Sequence, residues 1–417
     1  MVLNTVKKII IKLLEGKFFI TIYNKTNKIF LKIIKGVDFI TGYICRCLSS
    51  IFIEVDNSKV IFFQCNHRYA CNPKYITEKL HELSPNIKII WCINKEFYNK
   101  NKYPEYVNLV KRYSWKAYKE IMSSKIVIDN GHIYQEGAYI PKKKGQIYIQ
   151  VWHGSLGIKR FDTDSIKTRV CAAKRCGKMT DFCISNSRFE TIEVYKKTFW
   201  KNAEILEFGH PRNDILVNNN KSKSVNLRTL FSIPNDAMVV LYAPTYRDNK
   251  NNAQVYSIDV EELIAAIEAK TGKKCVILWR FHFSNRKNGK RNNLHHVIDV
   301  TDYDDIQELM LIADIGITDY SSWIFDFILT RKPGFIFAPD VDNYNMERGF
   351  YYPLDQTPFP IAYDNKMLCG NIREFDYENY CKKVKLFLDK MGCIENGKAS
   401  EKTASFVIKL LEKKDAN

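Results

Sequence analysis

Four stretches of this chain put chemically capable side chains directly after short apolar runs. After 147–152 come His153-Gly154-Ser155-Leu156-Gly157-Ile158-Lys159-Arg160, and after 238–243 come Pro244-Thr245-Tyr246-Arg247. The run 274–279 leads into Arg280-Phe281-His282, and 313–318 leads into Asp319-Tyr320-Ser321-Ser322. Histidine is the side chain best matched to proton transfer near neutral pH. Arginine offers forked hydrogen bonds to phosphate oxygens. Asp319 and Ser321 are good residues to start a helix, whose free N–H groups suit a phosphate. Two arginines, a histidine and a helix start at successive strand ends describe a diphosphate site. The bland alternatives stand beside this reading: His153 in a solvated turn, and Asp319 to Ser322 as a helix cap alone. Gly154 and Gly157 would let a ligand approach the backbone. No Walker loop and no Gly-x-Gly-x-x-Gly occurs at these strand ends, so a nucleotide would be held differently from that of a P-loop ATPase or an NAD enzyme.

The elements that must position these groups alternate. Residues 60–63, 87–91, 125–128, 147–152 and 181–185 read as strands, with helices over 73–83, 114–122 and 187–199. In the second half, 238–243, 274–283, 297–300, 313–318 and 334–337 read as strands, with helices over 259–270, 304–312 and 321–330. Such spacing predicts parallel, doubly wound sheets, in which active groups gather at the carboxyl ends of strands. The Gly209-His210-Pro211-Arg212-Asn213-Asp214 stretch closes the first half. Its Arg212 either meets a phosphate or pairs with Asp214. The polar run 218–224 reads as a linker, and residues 376–390 and 402–414 as closing helices.

The chain has 417 residues and a net charge of +18, a surface that attracts anions such as phosphorylated substrates or anionic lipid. It shows no basic-aromatic repeat of a single-strand binder, so no nucleic-acid partner is expected. The 12 cysteines form no Cys-x-x-Cys pair and give no zinc pattern, which fits reduced thiols in a cytosolic protein. No carboxylate cluster calls for a metal, and the reading includes no metal and no cofactor. No run is long enough for a membrane span. Residues 1–50 carry nine basic residues against two acidic ones, with Ile, Leu and Phe at helical spacing. This reads as a basic amphipathic helical segment lying on an anionic membrane surface.

Trp152-His153-Gly154-Ser155, Gly209-His210-Pro211-Arg212-Asn213-Asp214, Tyr242-Ala243-Pro244-Thr245-Tyr246-Arg247 and Thr318-Asp319-Tyr320-Ser321-Ser322 resemble, in order, the motifs of the CDP-glycerol glycerophosphotransferase family. Arg348-Gly349-Phe350-Tyr351 matches a fifth. The resemblance covers about residues 58–390. It implies an α/β fold of GT-B type: two Rossmann-like, doubly wound domains facing a cleft. Residues 51–217 would form the acceptor domain, 225–375 the CDP-alditol-binding domain and 376–417 the closing helices, behind the 1–50 membrane-associating segment. It also implies a peripheral enzyme at the cytoplasmic face of the cell membrane that builds teichoic acid or a related capsule polymer. Glycerol phosphate would pass from CDP-glycerol to a lipid-linked acceptor, releasing CMP. His153 would be the general base and His282 a second essential histidine near the phosphates. Arg247, Arg280, Ser321 and Ser322 would hold the diphosphate, and Asp319 would bind the polyol or cap the helix. Family members often carry Thr-Pro-Leu-Lys after His-Gly; here the lysine, Lys159, is shifted one place, which bears on acceptor contacts. The competing readings are the same chemistry with CDP-ribitol, a GT-B nucleotide-sugar glycosyltransferase, and a non-catalytic basic membrane-binding protein.

Overall fold

The apolar runs pair as parallel strands in two separate sheets. A computed structural model describes residues 51–131, 140–157, 160, 167–245, 258–281, 296–341 and 349–413. The amphipathic segment expected over 1–50 lies outside the described residues, as do Lys159, Arg247, His282 and Arg348. Both sheets belong to the unit formed by 55–138 and 144–417. Residues 51–54 and 140–143 belong to a second unit, in which Ile51 and Phe52 are exposed. Among the described residues no helix is long and apolar enough to cross a membrane.

The front sheet contains β1 (Asp56–Phe63), β2 (Lys88–Ile93), β3 (Val107–Lys111), β4 (Ser124–Asp129), β5 (Ile147–Gln150), β6 (Phe182–Ser185) and β7 (Glu204–Glu207). Its order is β3-β2-β1-β4-β5-β6-β7, and every pairing is parallel. The back sheet contains β8 (Met238–Tyr242), β9 (Cys275–Trp279), β10 (Val297–Asp299), β11 (Ile315–Thr318), β12 (Gly334–Phe337) and β13 (Ile361–Ala362). Its order is β10-β9-β8-β11-β12-β13, again all parallel. Both sheets reverse strand order beside their first strand, between β1 and β4 and between β8 and β11. That switch opens the crevice in which α/β sheets bind ligands. Strand β3 was not foreseen; its Asn108 and Lys111 interrupt the apolar run.

Helix α1 (Cys71–Leu83) follows β1, and α2 (Trp115–Ser123) follows β3. Ser114 caps α2 as its sequence suggests, its hydroxyl accepting from Ala117 N at 3.0 Å. Helix α3 spans Lys167–Met179. The helix expected over 187–199 is a short π-type segment, Glu190–Tyr195. The expected linker is in part helical. Asn220 accepts from Lys223 N at 3.0 Å and starts α4 (Lys221–Leu230), which buries Leu227 in the back-sheet core. Helix α5 (Val260–Thr271) is capped by Asp259, and α6 (Ile306–Ile312) by Asp305. The helix after β11 is shorter than its sequence suggests: α7 is Trp323–Phe327, continued by a 3₁₀ turn to Thr330.

Helices α8 (Asn365–Arg373), α9 (Tyr377–Met391) and α10 (Ala399–Glu412) end the described chain, and α9 and α10 serve different sheets. Tyr380, Val384, Phe387 and Met391 of α9 enter the core beside β8 and β12. Ala404, Val407 and Leu410 of α10 enter the core beside β1 and β4, against Ile76 and Leu80 of α1. The chain thus finishes by returning to the sheet it began with.

Candidate active site

A cavity of about 250 Å³ opens where the carboxyl ends of the two sheets face each other. Gln64, Cys65 and Arg68 line it from the end of β1, and His153 from the end of β5. Arg280 lines it from the end of β9, and Ser321 and Ser322 from the start of α7. Arg212, Asp304 and Asp326 are also in its wall. The structure therefore brings together His153, Arg280, Ser321, Ser322 and Arg212 of the residues singled out by sequence.

His153 sits on a tightly specified turn. Its Nδ1 meets the backbone carbonyl of Asn130, at the end of β4. A carbonyl can only accept, so Nδ1 carries the hydrogen, and in the neutral ring Nε2 holds the lone pair. That is the tautomer a general base needs. The preceding Trp152 has φ +46°, a left-handed backbone that a bulky aromatic residue adopts at a cost. The surroundings hold it there. Trp152 N donates to Gln150 Oε1 at 2.9 Å, and Asn72 Nδ2 donates to the carbonyls of Val151 at 2.5 Å and Trp152 at 3.1 Å. The two glycines of the His153 loop are required by close packing. A Cβ on Gly154 would lie 2.3 Å from the Trp152 indole nitrogen, and one on Gly157 would lie 2.9 Å from Ser322 Cβ. The His153 loop is thereby seated against the start of α7.

Arg212 does not pair with Asp214. Its Nε donates to Asp326 Oδ2 at 2.9 Å, its Nη2 donates to the carbonyl of Gly154, and its backbone N donates to Asn72 Oδ1 at 3.1 Å. Burial alone would lower its pKa; the neighbouring Asp326 carboxylate overturns this and holds it above the ordinary arginine value. Its charge is spent inside the protein, so the guanidinium is a brace beneath the His153 loop. Asp214 instead accepts from Ala399 N at 2.9 Å and Ser400 N at 2.7 Å, and so caps α10. Asn213 donates both to Asp326 Oδ1 at 3.1 Å and to Glu395 Oε1 at 2.8 Å. Nearby, His210 Nε2 lies 3.0 Å from Glu190 Oε2, both side chains being fully buried.

Asp319 caps no helix. It is 3% exposed, and its Oδ1 accepts from Thr245 N at 2.8 Å, Thr245 Oγ1 at 2.6 Å and Tyr320 N at 2.6 Å. It ties the end of β11 to the loop after β8, and it is not among the residues that line the cavity.

Arg280 has a different electrostatic setting. Its Nη2 donates to the carbonyl of Asp304 at 3.4 Å, while its buried Nη1 has no hydrogen-bond partner among the described residues. Burial, reinforced by the adjacent Arg68 charge, pulls its pKa down to about 10. It stays charged at neutral pH with its charge poorly met, the condition of a group built for an anion.

Sequence reasoning passed over two groups. One is the Asn130 carbonyl, a main-chain group with no side-chain signature. The other is Arg68, which the rule about strand ends, applied to β1, would have found. The lobes also meet through ion pairs it did not anticipate: Lys74 Nζ lies 2.7 Å from Asp305 Oδ2 and 2.7 Å from Glu308 Oε1.

The family described as CDP-glycerol:poly(glycerophosphate) glycerophosphotransferase matches residues 47–409. The teichoic acid poly(glycerol phosphate) polymerase of Staphylococcus epidermidis is 34% identical over 366 residues, 82% of this chain. The chain spans about half the length of that polymerase, 49%. The teichoic acid glycerol-phosphate transferase of Staphylococcus aureus is 29% identical, over 85% of this chain and 94% of its own. A solved structure of the wall teichoic acid polymerase TagF, a histidine-to-asparagine variant soaked with CDPG, superposes with a TM-score of 0.77. It is 29% identical and covers 92% of this chain and 98% of its own.

Proposed function

Since the chain belongs to the CDP-glycerol:poly(glycerophosphate) glycerophosphotransferase family, we propose that it transfers glycerol phosphate from CDP-glycerol to a hydroxyl of a lipid-linked acceptor, in teichoic acid synthesis. The observation that carries this reading is the pairing, in one cavity, of a histidine held through Nδ1 by the Asn130 carbonyl and an arginine whose Nη1 has no partner among the described residues. The solved TagF variant soaked with CDPG supports the choice of donor.

His153 Nε2 takes the proton of the acceptor hydroxyl as its oxygen attacks the phosphorus bearing glycerol. The bond from that phosphorus to the bridging oxygen breaks, and CMP leaves with that oxygen. A base so positioned contributes about 10²–10⁴ in rate. Arg280 offsets the charge on the diphosphate and on departing CMP, with Ser321 and Ser322 beside it as hydrogen-bond donors. The family resemblance assigns His282 and Arg247 to the diphosphate and Lys159 to the acceptor. Arg212 and Asp319 position it without touching the donor. Residues 1–50 hold the enzyme on the cytoplasmic face of the membrane.

The test is to incubate the protein with CDP-glycerol, or with CDP-ribitol, and a lipid-linked acceptor, following CMP release and product mass. His153→Ala should cost about 10²–10⁴ in turnover and leave CDP-glycerol affinity nearly unchanged. Turnover in that variant equal to the parent would remove His153 from the role.

A further inference from the structure

One corner of the front lobe carries exposed aromatic rings set among lysines. Lys111 ends β3, and Arg112 N donates at 2.7 Å to the carbonyl of Ile93, the last residue of β2, so the loops after these two strands stand together. Lys111 Nζ lies 4.8 Å from the Tyr98 ring centroid, and Lys119 Nζ lies 6.0 Å from that of Trp115. Tyr113 is 67% exposed and Trp115 54% exposed. Tyr113 has φ +64°, a left-handed backbone that a bulky aromatic residue adopts at a cost. Trp115 stacks on Tyr118, centroids 5.1 Å apart, which holds its ring in one orientation. Of the six tryptophans, Trp115 alone is exposed; Trp91, Trp152, Trp200 and Trp323 are buried and Trp279 is half-buried. Over 94–98 and 111–123, Lys95, Lys111, Arg112, Lys116 and Lys119 stand against Glu96 and Glu120, and Glu120 is held by Lys59 at 2.9 Å.

We propose that this corner, Tyr113 and Trp115 with Lys111, Lys116 and Lys119, is a contact for a bilayer surface of anionic phospholipid. A ring with an apolar body and a polar tip suits the headgroup layer, and the flanking ammonium groups reach its phosphates. The charge is complementary, because the three lysines are exposed and the acid nearest them in sequence, Glu120, is already paired. The placement fits a planar partner. None of these side chains lines the cavity, and they stand on the turn and helix that follow β3, the outermost strand of the front sheet. They also lie at the carboxyl end of that sheet, the end that bears His153, so the contact would keep the cavity's end of the lobe near the headgroups. This contact is additional to the one proposed for residues 1–50, and neither requires the other.

The lone exposed tryptophan makes the test direct. The full chain is mixed with vesicles of phosphatidylglycerol and phosphatidylcholine in equal parts, carrying a nitroxide on the acyl chain near the headgroup, and tryptophan fluorescence is followed. The parent should be quenched, and Trp115→Phe should lose most of that quenching while still sedimenting with the vesicles. Replacing Lys111, Lys116 and Lys119 together by alanine should weaken vesicle binding by about 100-fold, at about fivefold per lysine. An unquenched parent, quenching that survives in Trp115→Phe, or a triple variant that binds like the parent would each overturn the contact. Equal quenching on pure phosphatidylcholine would overturn its dependence on anionic lipid. A Trp115 emission shift with soluble poly(glycerol phosphate) but not with vesicles would give the corner to an anionic chain instead. None of these readouts involves CDP-glycerol, so they stand or fall separately from the transfer reaction.

Discussion

Arg212 and Arg280 line the same cavity and have opposite electrostatic fates. Arg212 is 2% exposed, bonded to Asp326 and to the Gly154 carbonyl, and its charged form is favoured beyond that of arginine in water. Arg280 has one buried nitrogen without a partner among the described residues and another arginine beside it, and its charged form is disfavoured. Proximity to the cavity does not distinguish them; the completeness of their pairing does. A satisfied buried charge holds the fold, whereas an unsatisfied one stores free energy that an anion can release.

The largest effect should come from the satisfied arginine. Arg212→Ala leaves Asp326 buried and unpaired, and should cost about 3–5 kcal/mol of stability, seen as a lower denaturant midpoint. Stability equal to the parent would break the contrast. Next is Glu395, which sits in the same region and is not well satisfied. Burial raises its pKa to about 7, against the pull of His210 and the Asn213 hydrogen bond. The folded protein therefore holds a proton that the unfolded chain, with its carboxyl near 4.5, releases. This favours folding fully below about pH 4.5 and fades as pH rises through about 7. Glu190, His210, Arg212 and Asp326 face the same cluster and are the same in both variants. Glu395→Gln should hence raise the melting temperature at pH 8 relative to the parent, by the equivalent of up to about 3 kcal/mol, and change it little at pH 5. A pH-independent difference would place the destabilisation elsewhere. The smallest effect belongs to the unsatisfied arginine. Arg280→Met should leave stability unchanged or slightly higher, while CDP-glycerol affinity falls by about 10- to 100-fold. A variant that is markedly less stable and still binds CDP-glycerol like the parent would invert the comparison.

The fold was legible where the sequence pattern is local. Apolar runs such as Val60-Ile61-Phe62-Phe63 and Met238-Val239-Val240-Leu241-Tyr242 became central parallel strands with their flanking turns intact. Local caps such as Ser114 and Asp259 were legible too, because donor and acceptor lie within one turn. What escaped was set by distant partners. Asp319 has the chemistry of a cap and was recruited by Thr245, 74 residues away. Arg212 has Asp214 two places along and chose Asp326, 114 residues away. Polar Asn220-Lys221-Ser222-Lys223 looked like linker, yet the Asn220 side chain starts a helix whose Leu227 finds its core in the next lobe. In the candidate site, His153 and Arg280 could be picked out by type and strand-end position. That Arg212 is bonded to a carboxylate while Arg280 keeps a nitrogen without a hydrogen-bond partner among the described residues could not.

The return of α10 to the front sheet sets an order of assembly. A ribosome releases β1 and α1 before α10, and the apolar face they present stays uncovered until Ala404, Val407 and Leu410 have been made. The lobe translated first is thus completed last, and the back lobe closes its own core with α9 in the meantime. The nascent front lobe must remain soluble, with a strip of its core open to water, while the back lobe is being made.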